Sequence, residues 1–158
     1  MHSLGYGAPP RHRARKSPLM KSVEQHARAF KIVRDAHALE IVEDYVELIA
    51  DLTDSQGEAR AVDLSRRLGV TPATVNNTLK RLERDGYLNS APYRSIFLTN
   101  KGRDLAEKSR QRHKLVRDFL IALGVDEATA EQDAEGVEHH VSAETLAAFE
   151  RFIKKQSS

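Results

Sequence analysis

Between Lys21 and Asp54 the chain has no proline or glycine, and Val23, Ala27, Phe30, Val33, Ile41, Tyr45, Leu48, Ile49 and Leu52 recur at mostly helical spacings. That pattern predicts one long helix or two in succession, stopped at Gln56-Gly57. Val62, Leu64 and Leu68 then mark a short helix that Gly69 ends, and Thr71-Pro72 supplies an N-cap followed by proline at the first helical position. Two helices joined by so short a turn form a helix-turn-helix, with the second, through Arg84, left exposed. After Asp85-Gly86, Tyr87–Ser90 and Ser95–Leu98 predict two short strands joined by Ala91-Pro92-Tyr93-Arg94, which is the wing of a winged helix. Thr99 begins a further long helix, with Leu105, Leu115, Val116, Phe119, Leu120 and Leu123 as its apolar positions, ending at Gly124. Two shorter helices follow, over about 126–140 and 142–154.

The expected fold is mainly α with a small β wing: a winged helix-turn-helix domain plus a helical domain. Residues 1–20, with three of the five prolines and the run Arg11-His12-Arg13-Ala14-Arg15-Lys16, read as a disordered basic arm. Residues 21–100 make the DNA-binding unit and 101–158 the helical dimerisation and metal-binding unit. A chain of 158 residues divided in this way has two small cores, which favours support from a second subunit.

Charge sharpens the division. Residues 60–117 carry fourteen Lys and Arg against five acids, whereas 118–150 carry nine acids and no Lys or Arg. A basic block beside an acidic one suits a polyanion-binding surface next to a cation site. No cysteine is present, so disulfides, thiolate-held zinc and thiol catalysis are excluded and any metal must sit on carboxylates and imidazoles. Without a signal-like or membrane-length apolar run, the expected location is cytoplasmic.

On the helix 72–84, Val75, Leu79 and Leu82 lie at i, i+4 and i+7 and should pack inward, leaving polar residues for a major groove. The expected DNA-contacting set is Pro72, Ala73, Thr74, Asn76, Asn77, Lys80, Arg81 and the wing residue Arg94. Thr74, Asn76 and Asn77, near the helix N-terminus, are suited to base edges; Lys80, Arg81 and Arg94 are suited to phosphates.

For the cation, Glu135, Glu138 and His139 stand at i, i+3 and i+4 and would share one face of an α-helix, while His140 points away. Asp44 and Glu47 make a second i, i+3 pair on the first long helix, and His113 is a plausible nitrogen ligand. Singly each is ordinary surface decoration. Together, on helices that pack, they suggest a binuclear carboxylate and imidazole site. A di-metal carboxylate enzyme is an alternative for such a ligand set, but there is no HExxH and a hydrolase has no need of a winged helix.

The segments Val42-Glu43-Asp44-Tyr45-Val46-Glu47, Arg112-His113-Lys114 and Asp133 to His140, arranged around Thr71-Pro72-Ala73-Thr74-Val75, resemble the DtxR/MntR family of metal-dependent transcriptional regulators over about residues 40–153. The resemblance implies that Asp44, Glu47, His113, Glu135, Glu138 and His139 hold two Mn²⁺ ions per subunit, with Glu47 and Glu135 bridging. It also implies a homodimer that represses manganese transport genes from a palindromic double-stranded operator. The first twenty or so residues are an extension that the shortest members lack, and the chain stops short of the SH3-like third domain of the iron-responsive relatives. Those relatives use sulfur side chains where this chain has Asp44 and Glu138. Mn²⁺ sits at the weak end of the Irving–Williams order and needs hard oxygen ligands, so the substitution favours Mn²⁺, with Fe²⁺ as the alternative. Whether His37 or His140 assists is left open by spacing.

Overall fold

A computed structural model describes residues 21–89 and 95–156; the proposed basic arm and the wing turn with Arg94 lie outside the described residues. A single helix α1 (Val23–Gln56) opens the fold. Ser22 caps it in a reciprocal box with Gln25, and Gly57 closes it at φ 82°. That left-handed conformation costs a glycine little, which is why the long periodic run stops there.

The second half of α1 is the spine of the DNA-binding unit. Tyr45, Val46, Ile49 and Leu52 are buried against Leu64 of α2 (Ala61–Leu68) and Val75, Leu79 and Leu82 of α3 (Pro72–Arg84). Gly69, at φ 65°, turns the chain between the two short helices, and Thr71 Oγ1 accepts from the Thr74 backbone N–H at 3.2 Å. The inward stripe of α3 is the expected one, with Thr78 added. Val62, by contrast, is exposed, so α2 is held through Leu64 and the half-buried Leu68.

Among the described residues the wing strands are shorter than expected. Its antiparallel strands are β1 (Leu88–Asn89) and β2 (Phe97–Leu98), with Leu88 opposite Leu98. Ile96 instead bridges Ala59, in the loop before α2, donating its N–H to the Ala59 carbonyl at 2.8 Å. The residue that periodicity assigned to a hairpin thus fastens the wing to the core.

Thr99 caps α4 (Asn100–Ala122), which crosses both units. A Cβ on Gly102 would sit 2.1 Å from the Tyr87 carbonyl oxygen, a backbone atom that cannot yield without moving the strand entry. Gly102→Ala is therefore expected to cost about 3 kcal/mol, the upper part of the overpacking range, and to lower the melting temperature accordingly. An unchanged melting curve would show that the helix start can slide.

α5 (Glu127–Val137), a 3₁₀ turn (Glu138–His140) and α6 (Ala143–Gln156) complete the chain. The expected α-helix to His140 is corrected: it tightens at Glu138, so Glu135, Glu138 and His139 do not share one α-helical face. This second unit has a thin interior. Val116, Ala130 and Ala134 are buried, Phe119 stacks on Phe149 at 3.8 Å, and α6 has no fully buried residue.

Candidate metal centre and nucleic-acid interface

His113 on α4 is the hinge of the acidic cluster. Its Nε2 lies 2.9 Å from Glu131 Oε1, so the ring donates there and its Nδ1 lone pair is turned inward. Nδ1 stands 2.9 Å from Glu138 Oε2 and 3.8 Å from Glu135 Oε1. Ligand atoms of His113, Glu135 and Glu138 all fall within 4.8 Å of one another. Glu138 is only 2% exposed, yet its Oε2 has no aligned donor. An acceptor aimed at a lone pair in a buried place calls for a proton or a metal ion between them.

The 3₁₀ turn places His139 differently from its neighbour. Its Nδ1 is 2.7 Å from Glu43 Oε2, leaving Nε2 to face Glu138 Oε1 at 3.3 Å and Asp44 Oδ1 at 3.6 Å. Asp44, Glu47 and Glu135 line one cleft, and Glu47 accepts from Ser109 Oγ at 2.8 Å. All six expected ligands therefore meet between α1 on one side and α4, α5 and the 3₁₀ turn on the other. His37 and His140 do not join them: both turn to Glu40, at 3.0 and 3.8 Å.

Glu43, Ser109, Arg112 and Glu131 escaped the sequence reading as parts of this site. Glu43 is 2% exposed and makes an ion pair with Arg112 at 2.5 Å as well as holding His139. Glu131 orients His113 in the same manner. Carboxylates on the far nitrogen of an imidazole fix its tautomer and raise its basicity toward a metal. The available signal for Glu43 was its phase, three residues before Val46 on the buried face of α1.

The electrostatics fit a site that exchanges protons for a cation. Burial pushes Glu138 up to about 7 against the opposing pull of His113 and His139. Burial likewise raises Asp44 and Glu47. Burial alone would lower His113 and His139, but Glu131, Glu138 and Glu135 around the first, and Glu43, Glu138 and Asp44 around the second, hold both above the usual imidazole value. Groups raised in this way stabilise the metal-free fold at low pH and cease to do so as pH rises through their folded values. The metal-free protein should therefore melt lower at pH 8 than at pH 6. Affinity for a divalent cation should move the opposite way, falling from pH 8 to pH 6, because those protons must leave. Calorimetric titrations in buffers of different ionisation heat would register the released protons; none released at pH 6.5 would contradict this arrangement.

On the other unit, Pro72, Ala73, Thr74, Asn76, Asn77, Lys80 and Arg81 are all exposed on α3. The Thr74 hydroxyl lies 2.9 Å from that of Thr71, so it serves the helix cap. Much of the basic block is engaged internally: Arg84 with Asp85, Arg110 with Asp51 and Asp54, Arg112 with Glu43, and Lys114 and Arg117 with Asp118. The raw count of positive charge between 60 and 117 therefore overstates the field offered by α3.

Two family models match the chain. Residues 38–96 match the iron dependent repressor N-terminal DNA binding domain, and residues 99–157 match the iron dependent repressor metal binding and dimerisation domain. The transcriptional regulator MntR of Escherichia coli O6:H1 is 49% identical over 145 residues, spanning 92% of this chain and 94% of that protein. The Salmonella typhi regulator of the same name is 48% identical over 144 residues, spanning 91% and 92%. Among solved structures, a manganese-dependent transcriptional repressor in complex with manganese superposes with a TM-score of 0.64 at 27% identity, over 72% of this chain and 52% of that one. The manganese regulator SloR gives a TM-score of 0.62 at 24% identity over 72% and 53%, a likeness of fold. The chain spans about half the length of both those solved chains. With both domains in order and nearly half its residues shared with close relatives along almost their whole length, the chain belongs to the DtxR/MntR family of DNA-binding, metal-dependent transcriptional regulators, and not to a family of enzymes.

Proposed function

We propose that this chain is a manganese-responsive repressor, acting in the cytoplasm as a homodimer, in which Asp44, Glu47, His113, Glu135, Glu138 and His139 hold two Mn²⁺ ions per subunit. The observation that carries it is the convergence of donors from two units. Asp44 and Glu47 belong to the helix that also forms the DNA-binding core, while the other four come from the dimerisation unit. Four carboxylates and two imidazoles with no sulfur suit Mn²⁺ ahead of softer ions.

When bound, a divalent cation supplies the positive charge that lets these carboxylates converge. Asp44 and Glu47 then stand fixed against α4, α5 and the 3₁₀ turn. Because Tyr45, Val46, Ile49 and Leu52 on the same helix pack with α3, the position of α3 is fixed too. In a dimer this holds two recognition helices about 34–36 Å apart, one turn of B-DNA, or at a multiple of it, on a palindromic operator. The competent arrangement holds the metal better, so metal shifts the population toward DNA binding.

Asn76 and Asn77 read base edges and Lys80 and Arg81 meet phosphates. Asn76→Ala is expected to change sequence preference by about 1–3 kcal/mol at one base position, whereas Lys80→Ala weakens all sequences alike and reduces the salt slope by about one. Equal effects of both variants on preference would overturn this division of labour. The metal assignment is tested by titrating the chelator-treated protein with Mn²⁺, Fe²⁺ and Zn²⁺ while following binding to its own upstream DNA. Fuller activation by Mn²⁺ than by Fe²⁺ or Zn²⁺ supports the assignment, and activation by Zn²⁺ alone overturns it.

A further inference from the structure

The first half of α1 is a helix without a partner among the described residues. Val23, Phe30, Ile32, Val33 and Leu39 are 44–79% exposed within seventeen residues. Val23, Phe30 and Val33 line one side, with Ala27 between them, and Ile32 and Leu39, at i and i+7, line another. Scattered exposed apolar residues need no explanation, but five on a free-standing stretch of helix do, because an isolated helix of this length is marginal in water without packing. The helix is also unbroken out to Val23, about 25 Å beyond Glu40 at 1.5 Å per residue. Near Glu40 the helix reaches the body of its own chain, with the Glu40 carboxylate 3.8 Å from His140. A continuous helix leaving at that point does not fold back on the described residues of the subunit that carries it.

His140 is itself on the rim of an open, mainly apolar groove of the dimerisation unit, formed by Leu120, Asp133, Gly136, Val137 and Val141 as well. Val137, in that groove, is exposed too. The two surfaces also match in charge. Residues 21–39 carry Lys21, Arg28, Lys31 and Arg34 against Glu24 and Asp35, and the groove holds Asp133 with no Lys or Arg in its lining. Resting on the homodimer reading above, we infer that residues 23–39 of α1 lie across the dimerisation unit of a second copy of this chain, with Phe30 and Val33 in the partner's groove beside Val137. The extension is then a strap that reaches from each DNA-binding unit to the opposite subunit, so the helix bearing Asp44 and Glu47 is anchored at one end by its partner.

The absence of cysteine makes the test clean. Full-length Phe30→Cys and Val137→Cys are purified separately, mixed, allowed to exchange subunits and oxidised. A mixed disulfide between different copies, forming at least ten-fold faster than one between Asn76→Cys and Val137→Cys, is the expected result. In the same preparation Phe30→Ser/Val33→Ser should weaken dimerisation at least ten-fold by sedimentation equilibrium, with helix content retained. Dimers that form no mixed disulfide, and are equally tight in the Ser variant, overturn the strap and leave the homodimer intact. That outcome would also follow if the segment before Lys21 covered the stripe within one chain. Cross-links between two Phe30→Cys copies alone overturn the groove assignment. A wild-type chain that sediments as a monomer with and without Mn²⁺ overturns the homodimer reading itself.

Discussion

Glu138→Gln is expected to abolish manganese-dependent DNA binding while leaving the chain folded. The amide has the same shape as the carboxyl, and in the metal-free protein that carboxyl is held near neutrality, with a value of about 7 set by burial. Replacing it by a neutral group therefore removes little that the empty fold depends on. With metal the situation reverses, since an amide brings no charge and a weaker oxygen. Glu138 stands against both imidazoles, 2.9 Å from His113 Nδ1 and 3.3 Å from His139 Nε2. Its loss should weaken Mn²⁺ binding at least 100-fold, about 2.7 kcal/mol. Melting curves without metal should overlay the parent at pH 6 and lie at or above it at pH 8. A variant that keeps Mn²⁺ affinity within three-fold would remove Glu138 from the ligand set.

Glu43→Ala is expected to do the opposite, damaging the fold as well as the metal site. Glu43 is as buried as Glu138, but its carboxyl is held below the usual range: burial would raise it, and His139 and Arg112 outweigh that. Removing it strands the Arg112 guanidinium, whose side chain is 21% exposed, and leaves Nδ1 of His139 without an acceptor. Breaking a buried pair costs about 3–5 kcal/mol, and partial solvation of Arg112 puts this case near the lower end. A fall of roughly 6–12 °C in melting temperature follows for a chain of this size. Mn²⁺ affinity should fall by about 10- to 100-fold, as for other outer-sphere partners of ligating histidines. Glu43→Gln keeps an acceptor for Nδ1 and should recover part of the affinity but less of the stability. Equal metal affinity in Glu43→Ala would mean that His139 needs no orienting partner.

The fold was legible wherever a signal is local. Gly57, Gly69 and the Thr71-Pro72 step are punctuation that the chain obeys in place, and Val75, Leu79 and Leu82 pack inward as their spacing requires. The residues that gather in the cluster were legible because acids at i, i+3 on facing helices are unusual in combination. What was not legible depends on where helices meet. Nothing in Glu138-His139 announces a 3₁₀ turn, because the tightening satisfies contacts with Glu43 and Asp44 almost a hundred positions away. Ser109 and Glu131 lie in helices that look solvated, and only the packing of α4 on α1 and α5 gives them partners. The first half of α1 misled in the other direction, since its apolar spacing implied a core that the described residues of its own chain do not supply.

The central claim is that metal in this cluster controls DNA binding, and the direct test is the affinity of chelator-treated protein for its own upstream DNA, with and without Mn²⁺, beside a Glu135→Ala/His139→Ala variant. The parent should tighten ten-fold or more, at least about 1.4 kcal/mol of coupling, and the variant should not respond. An Mn²⁺ effect that is absent from the parent, or equal in both proteins, would contradict it.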